Sequence, residues 1–270
     1  MPELPEIAIL ARQMRTELVG RTITGITVLQ PRCLNISRRA FVKALVGARI
    51  EEVLPRGKWL MMETTQGWLL LSLGMGGEIL LVTPETLPRR RRLVIDFAAG
   101  QCLAINFWWF GYAHYVRADK LQRHAMTAKL GPNALDLTAG EWQTLIGGKR
   151  GQLKSFLLDQ SKIAGIGNAY VHDILFLARL HPLRKIQSLS PTEKAELYKS
   201  VRVGLQTSLA KGGSSYEVNL YGQKGGFTLA DILIGYKKGK PCPACGTLIE
   251  KIKTGSTSSF ICPRCQPFKV

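Results

Sequence analysis

Two Cys-x-x-Cys pairs near the end of the chain have the spacing that most directly predicts chemistry. Cys242 and Cys245 form the first pair, Cys262 and Cys265 form the second, and sixteen residues separate the two pairs. Two such pairs can place four thiolates around one tetrahedral Zn²⁺. Because the protein then supplies all four ligands, the pattern predicts a structural zinc. Two disulfides are the alternative, which is weak in a chain whose start shows no export signal.

The first residues of the chain offer a second kind of chemistry. Removal of the initiator Met would make the secondary amine of Pro2 the α-amino group. Unperturbed α-amino groups have pKa values of about 7.7–8.0, so a usable fraction is uncharged at neutral pH. Such an amine can attack C1′ of a deoxyribose, release the base and form an iminium that favours β-elimination. Glu3 and Glu6 could then move protons or hold geometry, although a Met-Pro-Glu start is usually only a start.

The charge of the chain predicts a polyanionic partner. Lys and Arg number 37 against 19 Asp and Glu, which gives a net charge of +18 and an isoelectric point near 9.9. Since this self-repulsion does not help folding, nucleic acid is the favoured partner, with a membrane surface or a merely basic protein as alternatives. Residues 237–270 carry seven Lys or Arg and one Glu, which suits a hairpin that lies on a phosphate backbone.

The sequence predicts neither a membrane span nor a secretory signal. No apolar run reaches the roughly 18 residues that a transmembrane helix needs. The start lacks a basic region followed by an apolar stretch. We therefore expect a cytoplasmic protein associated with the bacterial nucleoid, or a nuclear protein in a eukaryote.

The spacing of apolar residues predicts an α+β fold. A helix is predicted over residues 5–18, where apolar residues recur at helical spacing. Residues 20–117 instead contain short runs separated by Gly-containing turns, which indicates an antiparallel β-sandwich or barrel. The Arg89–Arg92 run lies between two strands and is typical of a solvated loop. The predicted strands are Thr22–Leu29, Lys58–Thr64, Trp68–Leu73, Glu78–Val82, Leu93–Phe97 and Cys102–Phe107.

Helical patterns predominate after about residue 119. Residues 211–240 are rich in Gly, Lys and Tyr, as expected of a loop or flap. We therefore predict a β-rich domain over residues 1–118, a helical domain over 119–236 and a zinc finger over 237–270. The predicted helices are Lys120–Leu130, Ala139–Ile146, Asn168–Leu177 and Thr192–Ala210, and the zinc-hairpin strands are Leu248–Lys253 and Ser258–Ile261.

A series of motifs gives the chain a resemblance to a known family. Pro2-Glu3-Leu4-Pro5-Glu6, with a helix behind it, resembles the start of the formamidopyrimidine-DNA glycosylase and endonuclease VIII family. The motifs that follow resemble, in order, the family's hairpin lysine, strand-turn motif, wedge loop, helix–two-turn–helix and zinc hairpin. They are Arg56-Gly57-Lys58, Leu73-Gly74-Met75, Phe110-Gly111, Asp159-Gln160 through Ala164-Gly165-Ile166-Gly167-Asn168-Ala169-Tyr170, and Cys262-Pro-Arg-Cys265-Gln266.

This resemblance implies a base-excision-repair enzyme that is both a DNA glycosylase and an abasic-site lyase. Pro2 would be the nucleophile, Glu3 the general acid/base and Glu6 a supporting carboxylate in a β,δ-elimination. Lys58 would contact phosphate near the lesion and assist the chemistry. By itself Lys58 is one of 37 basic residues, and only its place in the turn after a strand singles it out. A monomer is expected, because one active site faces one lesion.

The resemblance also implies residues that hold and open double-stranded DNA. The C1′ atom of a stacked nucleotide is out of reach, so such an enzyme extrudes the nucleotide and fills the gap. Met75 and Phe110 match the family's apolar fillers, although both residue types are ordinarily found in cores. Asn168 matches the phosphate-binding asparagine at a helix start, where backbone N–H groups favour an anion. Residues 212–226 match the loop that covers the extruded base.

Several DNA-reading positions depart from the family pattern. Trp108 stands in the wedge loop where the family has an arginine that hydrogen-bonds the orphaned base. A tryptophan has one N–H donor and a large face, so it can fill the gap without reading the edge of that base. The other departures are Asn106 where an Asp is usual, Ser72 where a His is common, Thr257 where the hairpin tip usually has an Arg, and Ser161 where a Lys is common. The neighbouring Lys162 can take the role of that Lys.

The sequence therefore supports one main hypothesis and two alternatives. The main hypothesis is a glycosylase and lyase with unchanged chemistry and relaxed or shifted preference for the lesion and the opposite base. The first alternative is a non-catalytic or weakly catalytic protein of the same fold that binds damaged or structured DNA. An unrelated zinc-ribbon transcription or translation factor is the second alternative, if the N-terminal half is disregarded.

Overall fold

The chain folds into two compact units. The computed structural model describes residues 1–98, 100–255 and 257–268. The first unit comprises Met1–Lys129 and Lys211–Gly226, and the second comprises Leu130–Ala210 and the segment that starts at Phe227. The segment Lys211–Gly226, which the sequence places within the helical domain, therefore packs with the β-rich N-terminal part.

Two antiparallel sheets form the centre of the first unit, as predicted. Their strands in chain order are β1 (Ile23–Val28), β2 (Ile50–Arg56), β3 (Trp59–Thr64), β4 (Gly67–Ser72), β5 (Glu78–Val82), β6 (Leu93–Phe97), β7 (Cys102–Asn106) and β8 (Tyr112–Val116). One sheet has the order β1-β6-β7-β5 and the other β2-β3-β4-β8. Apolar side chains from both sheets share a single core, which makes the arrangement a β-sandwich.

Helix α1 (Leu4–Leu18) covers this core and carries the predicted catalytic carboxylates at its start. Glu3 and Glu6 form a capping box, in which each side chain accepts from the backbone N–H of the other residue. Pro5 is compatible with the first turn, where its missing N–H has no helical partner. One face is buried through Ile7, Leu10, Met14 and Leu18. Capping and burial together fix the direction in which the N-terminal end leaves the sandwich.

Three elements of the first unit were not predicted. Strand β2 contains Pro55 and two adjoining glutamates, which weaken the strand pattern. The proline is tolerated because β2 is an edge strand. Strand β8 follows the wedge loop too closely to show a pattern of its own. Helix α2 (Arg38–Leu45) is only eight residues long and is capped by Ser37, whose Oγ accepts from Ala40 N at 3.3 Å.

The helix predicted over Lys120–Leu130 is wrong. Residues Ala118–Arg123 form 3₁₀ turns, and turns continue after them. His124 N and Thr127 N bond carbonyls three residues back, at Leu121 O and His124 O, rather than forming an α-helical ladder. The side chains of His124 and Thr127 bond each other at 2.8 Å, which stabilises this tighter path.

The second unit is helical and carries the hairpin. Its helices are α3 (Ala139–Ile146), α4 (Leu153–Leu158), α5 (Val171–Leu177) and α6 (Pro191–Ala210), and its strands are β9 (Glu250–Thr254) and β10 (Thr257–Ile261). Helix α5 begins at Val171 rather than at the predicted Asn168, because residues 168–170 form a turn. Strands β9 and β10 pair antiparallel, as predicted for the zinc hairpin.

In the described parts of the chain, no helix is both long and apolar enough to cross a bilayer.

Candidate active site and nucleic-acid interface

The Glu6 carboxylate links the start of the chain to the segment Lys211–Gly226. Its Oε2 accepts from Glu3 N at 2.9 Å and its Oε1 accepts from Ser214 N at 3.0 Å. Glu3 is 4% exposed and Glu6 is 6% exposed. Gly213 beside them has φ +89°, and a Cβ there would lie 3.3 Å from Glu6 Cγ. The structure therefore brings both predicted carboxylates together beneath the predicted flap, and a glycine is needed for that approach.

A third carboxylate, Glu217, lies at the N-terminus and was not predicted. Its Oε1 is 3.3 Å from the terminal ammonium of Met1, and burial raises the pKa of Glu217. The ammonium group opposes that rise in pKa, whereas the charge of Glu6 adds to it. Sequence reasoning missed Glu217 because it lies in a loop with no spacing pattern. Pro2, which precedes Glu3 in the chain, is buried, whereas Met1 is half exposed.

Lys58 lies at the tight turn that joins β2 to β3. Gly57 in this turn has φ +59°, a conformation that a glycine adopts without cost. Lys58 is half buried, and the next residue, Trp59, is buried. The Trp59 ring stacks on Tyr112 with centroids 6.0 Å apart. The turn that carries Lys58 is therefore anchored to the start of β8.

The wedge loop, residues 107–111, is joined to the Leu73–Gly77 turn. Met75 N donates to Trp109 O at 2.9 Å, and Trp109 N donates to Met75 O at 3.4 Å. A Cβ on Gly74 would lie 1.9 Å from Trp109 O, so only glycine fits there. Phe110 has φ +56°, which is unusual for a bulky residue. Such strained backbone conformations occur preferentially at functional sites, where the surrounding structure maintains them.

These two turns expose a patch of large apolar side chains. Met75 is 50% exposed, Trp108 71%, Trp109 56% and Phe110 69%. Apolar groups this large are normally buried, and grouped exposure marks an interaction surface. The alternative that Met75 and Phe110 are core residues is therefore excluded. Trp108, which was predicted at the same surface, is exposed as well.

A buried histidine pair links β8 to the turns that follow it in the first unit. His114 Nδ1 is 2.8 Å from His124 Nε2, and His124 Nδ1 is 2.8 Å from Thr127 Oγ1. Burial, followed by the charge of His124, lowers the pKa of His114 to about 4. The pKa of His124 is lowered by burial as well. Both rings are therefore neutral in the folded protein at neutral pH.

The histidine pair predicts a loss of stability in mild acid. The pKa of His114 is 6.5 without perturbation and about 4 when folded, so the unfolded chain binds more protons between these values. Stability contributed by neutral His114 is therefore lost as the pH falls through this window, by up to roughly 3 kcal/mol. We expect His114→Phe to flatten the pH dependence of urea unfolding between pH 7 and 4.5. Parallel curves for the variant and the wild type would refute this role, since His172 and His181 lie in the second unit and affect both proteins equally.

The turn before α5 contains the predicted phosphate-binding residue. Gln160 Oε1 accepts from Gly165 N at 2.9 Å, and its Nε2 donates to Ile166 O at 2.8 Å, which fixes the turn. Asn168 follows and is exposed. Lys162 is half exposed and lies nearby in the chain. Hydrogen bonds from Ser161, and then the charge of Lys162, lower the pKa of Asp159. Both predicted residues are therefore accessible on the second unit.

The four cysteines converge at the base of the β9–β10 hairpin. Their sulfurs all lie within 4.8 Å of one another, with Cys245–Cys262 at 3.4 Å and Cys242–Cys265 at 3.9 Å. Four sulfurs at Zn–S distances of about 2.3 Å in a tetrahedron are separated by roughly 3.8 Å, so the set fits one structural zinc. Cys33 and Cys102 are buried in the first unit, as predicted for core thiols.

The hairpin tip is held by Lys154, which sequence reasoning also missed. Lys154 is 3% exposed, and its Nζ donates to Thr257 Oγ1 at 3.0 Å, Thr254 Oγ1 at 3.2 Å and Ser258 O at 2.5 Å. Burial lowers the pKa of Lys154 to about 8. The hydroxyl of Thr257 is thus engaged within the hairpin, where the family pattern has an arginine.

A crevice of about 230 Å³ opens beside this tip. Its lining combines an amide, a phenol, an ammonium and hydroxyls, which can all donate to a phosphate. The residues are Asn168, His172, Tyr236, Lys251, Thr257, Ser258 and Phe260. With the zinc hairpin beside it, this unit has the features of a zinc-containing DNA-binding module.

Comparisons with known proteins agree with this description. The model of the formamidopyrimidine-DNA glycosylase N-terminal domain matches residues 1–106, and that of the formamidopyrimidine-DNA glycosylase H2TH domain matches residues 130–219. The model of the zinc finger found in FPG and IleRS matches residues 239–267. A formamidopyrimidine-DNA glycosylase of Chloroflexus aurantiacus is 37% identical, with 98% of each chain covered. One of Streptococcus pneumoniae is 31% identical, with 98% of this chain and 99% of that protein covered.

Solved structures of DNA complexes also match the chain. A complex between the Lactococcus lactis Fpg and DNA containing an abasic site matches with a TM-score of 0.88 and 28% identity, covering 98% of this chain and 100% of that chain. A structure of MutM with DNA containing carbocyclic 8-oxo-G also has a TM-score of 0.88 and 28% identity, covering 99% and 100% of the two chains.

The sandwich, the helix–two-turn–helix and the zinc hairpin together define a zinc-containing DNA repair protein. The chain belongs to the formamidopyrimidine-DNA glycosylase family. Enzymes of this family are base-excision DNA glycosylases with abasic-site lyase activity, and the structural relatives are seen with DNA that contains an abasic site or a damaged base. The zinc-ribbon alternative is therefore excluded.

Proposed function

We propose that the chain excises damaged bases from double-stranded DNA and cleaves the resulting abasic site with Pro2 as the nucleophile. The observation that carries this proposal is the burial of the first residues after Met1 among carboxylates. Chain ends are usually exposed and mobile, whereas here Pro2, Glu3 and Glu6 are all buried, and Glu217 lies 3.3 Å from the ammonium of Met1. Once Met1 is removed, the Pro2 nitrogen becomes the α-amino group at an ordered helix start, beside these carboxylates.

The proposed reaction begins once Met1 has been removed. The Pro2 nitrogen attacks C1′, the C1′–base bond breaks, and the base leaves with the bonding electrons and takes up a proton. Glu3 protonates the ring oxygen as the sugar opens, which leaves an iminium between Pro2 and C1′. Loss of a C2′ proton then expels the 3′ phosphate, and a second elimination expels the 5′ phosphate. Water finally hydrolyses the iminium and restores the amine.

The remaining site residues are proposed to position the catalytic groups and the DNA, and they take no part in making or breaking bonds. Glu6 keeps the helix start and residue Ser214 in place through its two hydrogen bonds. Lys58 is proposed to neutralise a phosphate next to the lesion. On the interface, the proposed roles are gap filling by Met75, Trp108 and Phe110, and phosphate binding by Asn168 and Lys162.

The family-model matches also support a proposed division of labour along the chain. We propose that residues 1–118 carry the chemistry, 119–236 contribute the helix–two-turn–helix and 237–270 form the zinc finger. The family-model matches to residues 1–106, 130–219 and 239–267 support these limits. An enzyme of chromosomal DNA acts where that DNA lies, which in a bacterial cell is the cytoplasmic nucleoid.

Borohydride trapping on abasic-site DNA tests the proposed function. We expect the wild type to form a covalent adduct after reduction, because the iminium joins the protein to the sugar. Pro2→Gly should lose the adduct while it keeps its affinity for DNA. A wild type that binds the DNA without forming an adduct would instead support the non-catalytic alternative.

The wedge loop predicts an altered choice of opposite base. An arginine can hydrogen-bond the edge of the orphaned base, whereas exposed Trp108 offers a stacking face and one N–H. We therefore expect similar single-turnover rates for 8-oxoguanine placed opposite each of the four bases. Trp108→Arg should restore discrimination if the loop is otherwise intact. A strong preference of the wild type for cytosine would overturn this prediction.

A further inference from the structure

A basic crevice of about 430 Å³ lies beside the wedge loop in the first unit. One wall is the run Arg89–Arg92, which precedes β6, and the other is formed by Asn106, Phe107 and Trp108. The crevice thus places guanidinium groups next to the loop that lacks the family's arginine. None of the family motifs given above includes this run, whose sequence alone predicts a solvated loop.

The backbone that carries these arginines is fixed to the sandwich. Arg92 N donates to Ile105 O at 2.8 Å, and Arg92 O accepts from Leu29 N at 2.8 Å. Arg91 is half buried, and its Nη1 donates to Pro88 O at 2.8 Å. A run held by neighbouring strands keeps its side chains in one place, unlike a freely solvated loop.

The arginines of the run are open to an anion from outside the protein. Arg89, Arg90 and Arg92 are exposed. Within residues 1–98, 100–255 and 257–268, none of the ion pairs involves an arginine of this run. Four adjacent cations repel one another, and an anion that bridges them removes that repulsion. Guanidinium groups bind phosphate by paired hydrogen bonds, so a phosphate backbone fits this crevice.

We propose that the Arg89–Arg92 crevice binds the phosphate backbone of the undamaged strand, beside the nucleotide left without a partner. This inference rests on the proposed function, because it requires the wedge loop to enter the DNA at an extruded nucleotide. Trp108 lines the crevice and is 71% exposed. When Trp108 stacks on the orphaned base, the nearest phosphates are those of the undamaged strand. The crevice then supplies the grip on that strand that an arginine at position 108 would give elsewhere in the family.

The test compares two double variants on one DNA probe. Arg89→Gln/Arg90→Gln removes two exposed charges from the crevice and leaves the structural hydrogen bonds of Arg91 and Arg92 in place. Arg38→Gln/Arg39→Gln removes two exposed charges from α2 as the matched control. The probe is a duplex with a tetrahydrofuran abasic analogue, whose Kd is measured over a range of NaCl concentrations. A second probe has neutral methylphosphonates in the undamaged strand beside the unpaired nucleotide, and a third has them in the damaged strand.

We expect the crevice variant to lower the slope of log Kd against log salt concentration by about two, since each phosphate contact contributes about 0.9. Methylphosphonates in the undamaged strand should weaken binding of the wild type and of the α2 control, but not of the crevice variant. Those in the damaged strand should weaken binding of all three proteins alike.

Other outcomes overturn the proposal. A crevice variant as sensitive as the wild type to undamaged-strand methylphosphonates would show that the arginines lie elsewhere. An equal loss of affinity for a single strand of the same sequence would show a general polyanion surface rather than a contact specific to the duplex. Borohydride trapping by the same proteins separates the two claims, because a trapping-competent wild type with an inert crevice refutes only the crevice. A wild type that traps nothing refutes the proposed function.

Discussion

Replacement of Glu3 by Gln is expected to slow base excision by about 10²–10⁴-fold, the range that a positioned general acid contributes. Glu3 is buried at the start of α1, where its N–H donates to Glu6 Oε2 at 2.9 Å. Gln retains the size of Glu and an oxygen acceptor, so the capping box is kept while the transferable proton is lost. The measurement is single-turnover excision of 8-oxoguanine from a duplex at saturating enzyme.

Two further variants make the Glu3 result interpretable. Glu51→Gln removes an exposed carboxylate of β2 and should leave the rate unchanged. Glu6→Gln should fall between the two, because both Glu6 oxygens accept from backbone N–H groups and an amide can replace only one of them. A Glu3→Gln enzyme as fast as the wild type would contradict the assignment of Glu3 as the acid.

Removal of the zinc is expected to unfold the hairpin and abolish tight binding to abasic-site DNA. The hairpin has little core apart from the ligands, since Phe176, Ile234, Ile249 and Phe260 pack around Cys242 and Cys262. Zinc contributes on the order of 10 kcal/mol to the folding of isolated fingers, which is comparable to the net stability of a whole domain. Cys262→Ser should therefore lose its bound zinc and bind the DNA at least about tenfold more weakly, because the basic hairpin is then displaced.

The buried cysteine of the sandwich provides the control for the zinc. Cys102→Ala removes a thiol that is 1% exposed and lies in the first unit, away from the ligand set in sequence. It should retain one zinc per chain, measured by release to a colorimetric chelator, together with wild-type affinity. Normal zinc content and affinity in Cys262→Ser would contradict the structural role of the metal.

Much of the fold could be predicted because its periodic segments are long or strongly apolar. Helix α1, helix α6 and most strands of the sandwich coincide with the predicted segments. The elements that were missed are short or carry misleading residues, such as the six-residue α4 and the proline-containing β2. The helix predicted over Lys120–Leu130 failed because the His124 side chain bonds His114 of β8 and also Thr127, and these contacts stabilise turns.

Some residues of the candidate site could be predicted from the sequence and others could not. The zinc ligands could be predicted because spacing alone determines whether four thiolates can meet. The carboxylates at the start of α1 could be named only through the resemblance to a family. Glu217, Lys154 and the Arg89–Arg92 crevice could not be predicted, because each depends on residues distant in the chain. Glu217 pairs with Met1, Lys154 bonds the hairpin tip, and the arginines line one crevice with Trp108.

The most direct test of the account is the location of the trapped sugar on the protein. The wild type is reduced with borohydride on abasic-site DNA, digested with nuclease and trypsin, and analysed by tandem mass spectrometry. Trypsin cleaves after Arg12, so the first peptide of the processed chain runs from Pro2 to Arg12. We predict that this peptide carries the reduced sugar remnant, attached to the Pro2 nitrogen. A remnant on Lys58 or on any other lysine, with the first peptide unmodified, would contradict the account.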